Sequence, residues 1–322
     1  MKQRLHKVGI VGASGRLGKM IASEALRVGF DVQALNARHH DIRNPNTLIG
    51  LDAIINAAPQ TSNALHRSAL EAGCHMVDVG ISEDVIRSAL ALDAFAQEQN
   101  LTLVLMAGLA PGLSGMLGYE LAKRTPSARK VDVVLLQNAQ GTAGKRGVSD
   151  MLDMLSDKTR SPITQLNDDV LPGSERRNRY AFALPTPETA LLSQDIHEPS
   201  ISYHTLFNSH AMNRTIRLLG IIRRVSESAY SGIRNLVATR KSRQPPPDDE
   251  TIYLSAVATD AEGTILARED LKFASDYGAT SKIAVALTDM ALAGRFQAGA
   301  GHPSKFSDWR TVTAQASFQF EK

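Results

Sequence analysis

Cysteine is almost absent from this chain, which has only Cys74 among its 322 residues. One cysteine can form neither an internal disulfide nor a cysteine-based zinc site, which is typical of proteins from a reducing compartment. Long apolar runs are missing too, because glycines and Pro111 divide the longest stretch, 101–118, into a strand and a loop. The apolar stretch near the N-terminus is too short for the core of a signal peptide. We therefore expect a cytoplasmic protein without a membrane role.

A strong excess of one charge is also missing, since 36 basic residues face 33 acidic ones and the formal net charge is +3. So small an excess does not provide the basic surface of a nucleic-acid-binding protein. The histidines at 197, 204 and 210 lack the close spacing of metal ligands, and we predict no metal site. With 43% apolar and 21% charged residues, the chain has an ordinary globular composition and is long enough for two domains. A small-molecule substrate is the expected partner.

The first part of the chain alternates apolar runs with amphipathic helical stretches. The apolar runs lie at 8–11, 32–35, 53–55, 76–79 and 101–106, and the helical stretches at 17–26, 62–72 and 84–99. Buried strands that alternate with helices predict a parallel sheet covered on both faces. The fold class is therefore α/β, with a doubly wound Rossmann domain over residues 1–120.

The pattern changes after residue 120. Strand-like segments at 130–137, 180–184, 201–207 and 251–257 are separated by long polar connections. They predict an inserted α+β domain over 121–272, built on a mixed or antiparallel sheet and used for substrate binding and dimerisation. Residues 273–322, with a helix at 280–293, are expected to return to the Rossmann domain. The arginine-rich stretch 214–243 is either a solvated helix and turn or an anion-binding flap.

Three glycines follow the first strand and precede the first helix. Gly12 permits a tight turn, Gly15 allows the backbone to approach a phosphate, and Gly18 allows the helix to pack on the strand. The N-terminus of the helix then faces the anion. The pattern predicts a pyrophosphate-binding turn, and the alternative is a structural turn without a ligand. The predicted phosphate-binding residues are Gly12, Ala13, Ser14, Gly15, Arg16 and Leu17.

The end of the second strand carries no acidic residue, although an Asp or Glu there would bond the ribose hydroxyls of NAD. Asn36 can donate a hydrogen bond to a 2′-phosphate, and Arg38 can pair with it through two parallel hydrogen bonds. Asp41 either caps a turn or contacts the adenine together with Ile42. The sequence therefore predicts NADP rather than NAD as the cofactor.

Three segments resemble the saccharopine dehydrogenase family, including its lysine 6-dehydrogenase-like members. They are Asp52-Ala-Ile-Ile-Asn-Ala-Ala-Pro59, Ala69-Leu-Glu-Ala-Gly-Cys-His-Met-Val-Asp-Val-Gly80 and Ala107-Gly-Leu-Ala-Pro-Gly-Leu-Ser114. The resemblance covers residues 5 to about 120, and less specifically the tail from 273 to 303. It implies an enzyme that interconverts amines or amino acids with imines or aldehydes. A homodimer is expected because two-domain enzymes commonly associate in this way.

The same resemblance implies which residues border the cofactor and the substrate. Its nicotinamide-side loop corresponds to Ala57, Ala58 and Pro59, and the nicotinamide ribose or ring is bordered by Val79, Gly80, Gly108 and Ala110. Pro111 and Gly112, in the third segment, are expected to face the substrate.

Candidate groups for the chemistry lie in three places. Gly141, Thr142, Lys145 and Arg146 predict a loop that binds a substrate carboxylate, or else a solvated basic turn whose Ser149 or Asp150 caps a helix. The candidates for proton transfer are His75, Lys145 and Tyr277. His75 is alternatively a hydrogen-bonded core histidine, and Tyr277 a buried tyrosine that satisfies a loop.

These observations predict an NADP-dependent oxidoreductase that transfers a hydride between NADP(H) and an imine, amino acid or related carbonyl compound. Two alternatives stay open. One is a non-catalytic NADP-binding redox sensor, because a fold alone does not establish chemistry. The other is an NADPH-dependent enoyl reductase, which acts on an activated carbon–carbon double bond.

Overall fold

The chain forms two compact units, one comprising Met1–Met116 with Gly278–Lys322 and the other Leu117–Tyr277. The structure is a computed structural model. It describes residues 5–36, 40–141, 145–156, 164–165, 180–184, 186–192, 196, 198–242 and 249–320.

The first unit contains a six-stranded sheet in which every neighbouring pair is parallel. Its order along the sheet is β12-β5-β4-β3-β1-β2. The strands are β1 (Lys7–Val11), β2 (Asp31–Leu35), β3 (Ala53–Asn56), β4 (His75–Asp78), β5 (Thr102–Leu105) and β12 (Gly299–Gly301). Every residue of β3 and β5 is buried, as expected for the central strands of a sheet covered on both faces.

Helices connect these strands. Those within or entering the first unit are α1 (Arg16–Arg27), α2 (Ala64–Glu71), α3 (Glu83–Leu90), α4 (Asp93–Glu98), α5 (Leu113–Arg124), α10 (Asp276–Leu292) and α11 (Trp309–Gln315). On α1, Gly18, Ile21 and Ala25 are buried at spacings of three and four residues, which places them on one face of the helix.

The helical stretch predicted over 84–99 consists of two helices, because α3 ends at Leu90 and α4 begins at Asp93. The break places Asp93 in the first turn of α4. Its carboxylate accepts hydrogen bonds from the Ala300 backbone N–H at 2.7 Å and the Lys305 ammonium at 2.6 Å. The break therefore ties the edge strand β12 to the rest of the unit.

The second unit contains a six-stranded mixed sheet in the order β11-β10-β6-β9-β8-β7. β6 and β9 pair in parallel, and the other neighbouring pairs are antiparallel. The strands are β6 (Lys130–Gln137), β7 (Thr164–Gln165), β8 (Tyr180–Ala183), β9 (Ser200–Phe207), β10 (Ile252–Thr259) and β11 (Ile265–Phe273). The prediction of a Rossmann sheet followed by a second, mixed sheet is confirmed.

The described helices of the second unit are α6 (Lys145–Leu155), α7 (Pro187–Leu192), α8 (His210–Val225) and α9 (Glu227–Ser242). Three of them, α6, α8 and α9, share an apolar core. Leu152 of α6, Ile216 of α8 and Tyr230 of α9 belong to one buried cluster. The Asp153 carboxylate accepts hydrogen bonds from the Tyr230 hydroxyl at 2.9 Å and the Arg234 guanidinium at 2.6 Å. The described part of the arginine-rich stretch therefore forms two packed helices.

No helix in the described part of the chain combines the length and the apolar character needed to cross a membrane. Among the described residues, no group of three or more His, Cys, Asp or Glu side chains is arranged to hold a metal ion.

Candidate functional site

The carboxyl ends of β1 and β3 lie side by side in the first unit. From β1 the chain passes to β2 on one side of it and then to β3 on the other, so the strand order reverses at this point. Open α/β sheets bind ligands in the crevice at such a switch point. The Ala57 backbone N–H donates a hydrogen bond to the Val11 carbonyl at 2.9 Å. The turn after β1 and the loop after β3 therefore meet where a ligand is expected.

Two glycines of the turn after β1 are required by close backbone packing. Gly12 has φ +83°, and a Cβ atom there would lie 3.0 Å from Ala58 Cβ and 3.1 Å from the Ala57 carbonyl carbon. A Cβ atom on Gly18 would lie 2.1 Å from the Gly12 carbonyl oxygen. These contacts hold the start of α1 and the loop after β3 directly against the turn. Gly12 and Gly18 thus have the roles that the sequence predicts for them.

Close packing is weaker at Gly15 than at Gly12 and Gly18. Its φ of −72° suits any residue, and a Cβ atom there would meet only the Gly12 carbonyl oxygen, at 3.3 Å. Gly15 is the N-cap residue of α1, and no side chain caps this helix. A glycine at the positive end of a helix is an arrangement that lets a pyrophosphate approach the backbone. Ala13, Ser14, Arg16 and Leu17 lie in the same turn and the first turn of α1.

The residues after β2 are those predicted to contact the adenosine half of the cofactor. Asn36 is exposed, and its carbonyl accepts a hydrogen bond from the His40 backbone N–H at 2.8 Å. Arg38 lies outside the described residues. Asp41 Oδ1 accepts the Arg43 backbone N–H at 3.2 Å, which agrees with its interpretation as a turn cap. Ile42 is only 7% exposed and leaves little surface for an adenine.

A buried hydrogen-bond network joins the ends of β3 and β4. One Asp78 carboxylate oxygen accepts hydrogen bonds from the Asn56 side-chain amide and the Gly80 backbone N–H, each at 2.8 Å. The other lies 2.6 Å from Nε2 of His66 on α2. Asn56, His66 and Asp78 are 0%, 0% and 2% exposed. We call these three residues the Asp78 network.

The Asp78 network reaches three loops at the carboxyl edge of the sheet. Asn56 Oδ1 accepts hydrogen bonds from the Ala58 backbone N–H at 3.2 Å and the Gln60 side-chain amide at 3.0 Å. The Asp78 carbonyl accepts the Ala107 backbone N–H at 2.8 Å. Ala57, Ala58 and Pro59 after β3, Val79 and Gly80 after β4, and Gly108 and Ala110 after β5 are therefore brought to one edge.

The loop after β5 is tightly folded. Met106 has φ +58°, which is strained for a residue with a side chain, and Gly112 has φ +127°. A Cβ atom on Gly112 would lie 2.3 Å from the carbonyl oxygens of both Met106 and Gly108. The Leu109 backbone N–H donates to the Thr280 hydroxyl at 3.2 Å. Packing within the loop is therefore sufficient to explain why residue 112 is glycine. Pro111 lies in the same bend.

The structure places His75 at the opposite edge of the sheet from the glycine turn. It is the first residue of β4 and pairs with Ala53, the first residue of β3. Its Nδ1 accepts the Thr102 backbone N–H at 3.2 Å, and burial lowers its pKa below the ordinary value. These features fit the core-histidine interpretation. We therefore remove His75 from the candidates for proton transfer.

The candidates in the second unit lie around the start of α6. Lys145 and Arg146 are its first residues, but their side chains, like Thr142, lie outside what the structure describes; Gly141 precedes them. A Cβ atom on Gly147 would lie 2.6 Å from the Tyr277 hydroxyl oxygen. The structure thus brings Tyr277 to the helix that begins with the predicted carboxylate-binding residues.

Sequence reasoning missed two groups with titratable side chains. The first is the Asp78 network, whose signal was a carboxylate in an otherwise apolar strand. The second is Asp276, directly before Tyr277. It is partly buried, and burial together with the charge of Glu250 raises its pKa to about 6. That value is close to neutral pH, as proton transfer requires.

Two dehydrogenases are among the solved structures that match nearly the whole chain. C. glutamicum DAP dehydrogenase in complex with DAP covers 99% of this chain and 97% of its own, with a TM-score of 0.53 and 13% sequence identity. An engineered D-amino acid dehydrogenase bound to NADP+ covers 98% of this chain and 97% of its own, with a TM-score of 0.51 and 13% identity. No family model and no curated protein matches the chain. The matches show a shared fold, and the resemblance to the saccharopine dehydrogenase family stays a prediction.

Proposed function

We propose that this chain is an oxidoreductase that binds a nicotinamide dinucleotide at the glycine turn of its first unit. The observation that carries the proposal is the contrast within that turn. Packing requires Gly12 and Gly18, whereas Gly15, at the N-terminus of α1, has a single close neighbour for a Cβ atom, the Gly12 carbonyl oxygen at 3.3 Å, and no side chain caps the helix there. The turn also lies at the switch point of the parallel sheet.

The chain's own residues have distinct parts in this proposal. The backbone of residues 12–17 would bind the pyrophosphate, and the dipole of α1 would stabilise its charge. The loops after β3, β4 and β5 would border the nicotinamide half and keep water from it. The cofactor supplies the hydride chemistry when bound.

We propose NADP(H) rather than NAD(H) as the cofactor. No acidic residue immediately follows β2, and Asn36 and Arg38 provide donors for a 2′-phosphate. The NADP+ bound to the structurally similar D-amino acid dehydrogenase supports this choice. The test is calorimetric titration with NADPH and NADH. We expect tighter binding of NADPH, and we expect Arg38→Ala to weaken NADPH binding while leaving NADH binding unchanged.

For the substrate we propose an amino acid and its imine, or a related carbonyl compound. Support comes from the structural similarity to the engineered D-amino acid dehydrogenase. It also comes from the basic residues at the start of α6, which suit a substrate carboxylate. Tyr277 and Asp276 are the candidates for moving the substrate's proton, because the Tyr277 hydroxyl adjoins this segment and the pKa of Asp276, the residue before it, is raised to about 6.

The activity test uses two NADPH samples, deuterated at C4 on one face or on the other, each offered with 2-oxo acids and ammonia and, separately, with activated alkenes. Transfer of deuterium to the product carbon from one of the two samples only is expected of a dehydrogenase. Tight NADPH binding without transfer to any imine, carbonyl or activated alkene would instead favour a redox sensor. Transfer to activated alkenes alone would favour an enoyl reductase.

A further inference from the structure

We infer that the Asp78 network is a positioning group for the nicotinamide half of the cofactor. The network fixes the two loops that follow β3 and β4, and through them the site of the ring. This inference rests on the proposed function, because it assigns a role to residues of the same site.

The topology decides which half of the cofactor these loops meet. In a doubly wound sheet the pyrophosphate lies at the turn after the first strand, and the adenine ribose is bonded at the end of the second. Here β2 flanks β1 on one side, and β3, β4 and β5 lie on the other. The adenosine half therefore extends towards β2 and the nicotinamide half towards β3 and β4. Asn56 and Asp78 end these two strands.

The network has the features of a device that holds loops in place. Its side-chain bonds to the loops after β3 and β4 end on donors beyond those strands, namely the backbone of Ala58 and Gly80 and the side chain of Gln60. Because the β4 residues Met76 and Val77 are apolar and fully buried, an apolar residue at position 78 would serve packing alone. A buried carboxylate is costly to desolvate, so it is weak evidence for added stability. Its specific effect is to fix the geometry of the donors around it.

His66 completes the surroundings of Asp78. Nε2 faces the carboxylate at 2.6 Å, while the buried Nδ1 has no hydrogen-bond partner among the described residues. The ring therefore suits the tautomer that carries its proton on Nε2. All three groups around the Asp78 side chain, from Asn56, His66 and Gly80, then act as donors to an acceptor-only carboxylate.

The test variant is Asp78→Asn, which replaces one acceptor oxygen by an NH2 donor. The new amide either opposes the His66 Nε2–H or forces the tautomer whose Nδ1–H is buried without an acceptor. Two ligands are titrated into wild type and variant by calorimetry. One is the reduced cofactor, NADPH or NADH, that the wild type binds more tightly. The other is the matching fragment without nicotinamide, 2′-phospho-ADP-ribose or ADP-ribose.

We expect Asp78→Asn to raise the Kd of the reduced cofactor by about 10-fold or more, while that of the fragment changes by less than about 3-fold. Gln60→Met removes only the donor at the loop end of the network and should show the same selectivity, with a rise of about 3-fold. If Asp78→Asn does not fold, Gln60→Met is the variant that decides the test. Thr288→Val, which removes a buried hydrogen bond to Ala284 in α10, is the control and should change neither Kd.

Equal weakening of cofactor and fragment would mean that the network only stabilises the fold, and would overturn the inference. Unchanged cofactor binding in both variants would overturn it as well. A wild type that binds neither reduced cofactor would instead refute the proposed function, and the inference with it. The two failures are distinguishable because the second is seen in the wild type.

Discussion

Substitution of Gly18 by alanine should destabilise the first unit before any ligand is added. The new Cβ atom would lie 2.1 Å from the Gly12 carbonyl oxygen, 2.7 Å from the Gly12 carbonyl carbon and 2.9 Å from Ala13 Cα. All three are backbone atoms, so the start of α1 has to move away from the turn. Overpacking of this kind costs about 3 kcal/mol, at the upper end of the usual range.

A smaller term opposes this cost, since alanine is favoured over glycine in a helix by about 1 kcal/mol. The net loss of unfolding free energy is then about 2 kcal/mol. With a denaturant slope of about 2 kcal/mol per molar urea, the midpoint should fall by about 1 M. Trp309 is the only tryptophan of the chain and is buried in the first unit, so its fluorescence follows the unfolding of that unit.

Gly232→Ala is the matched control in the second unit, followed by far-ultraviolet circular dichroism. A Cβ atom on Gly232, in α9, would meet nothing within 4 Å, so helix propensity alone should stabilise the variant by about 0.5–1 kcal/mol. If Gly18→Ala left the Trp309 midpoint unchanged or raised it, the close packing of α1 on the turn would be refuted.

Three further predictions concern single side chains. Gly15→Ala should lower the Trp309 urea midpoint by about 0.5 M, half the effect of Gly18→Ala, because its Cβ presses on one atom at 3.3 Å and alanine is a poorer N-cap than glycine, yet raise the Kd for NADPH by about 10-fold; unaltered binding would contradict the pyrophosphate assignment. The Cys74 thiol, whose pKa burial and the charge of Asp52 raise to about 12, should resist alkylation at pH 8 until urea unfolds the first unit; rapid labelling of the native protein would refute its burial. Because the pKa of Asp276 is about 6 in the folded protein, against 3.8 for a free side chain, folding favours its protonated form and stability falls as the pH rises from about 4 to about 6. Asp276→Asn should therefore stabilise the protein by up to about 3 kcal/mol at pH 8 and little at pH 4 in urea titrations, and an equal effect at both pH values would refute this shift.

The Rossmann sheet could be predicted from the sequence because its signals are local. A buried strand is visible in the sequence as an apolar run. Gly12, Gly15 and Gly18 follow the first strand at a fixed spacing. The roles of Gly12 and Gly18 follow from that spacing and agree with the contacts of the structure. The sequence does not show where α3 ends and α4 begins, and the partners that Asp93 binds there, Ala300 and Lys305, lie far along the chain.

The candidate site was less predictable, because it depends on contacts between elements that are distant in sequence. His75 precedes the predicted strand 76–79, so its place at the amino end of β4, away from the glycine turn, could have been inferred from the direction of the strand. By contrast, His66 and Asp78 meet only because α2 packs beside β4, and no short motif encodes that contact.

The account depends most directly on whether the glycine turn binds a nicotinamide dinucleotide. The decisive measurement is calorimetric titration of the wild-type protein with NADPH and with NADH. We predict one bound molecule per chain, with a Kd on the order of micromolar for the preferred cofactor. No heat of binding with either cofactor, from a protein whose Trp309 fluorescence shows it to be folded, would contradict the central claim.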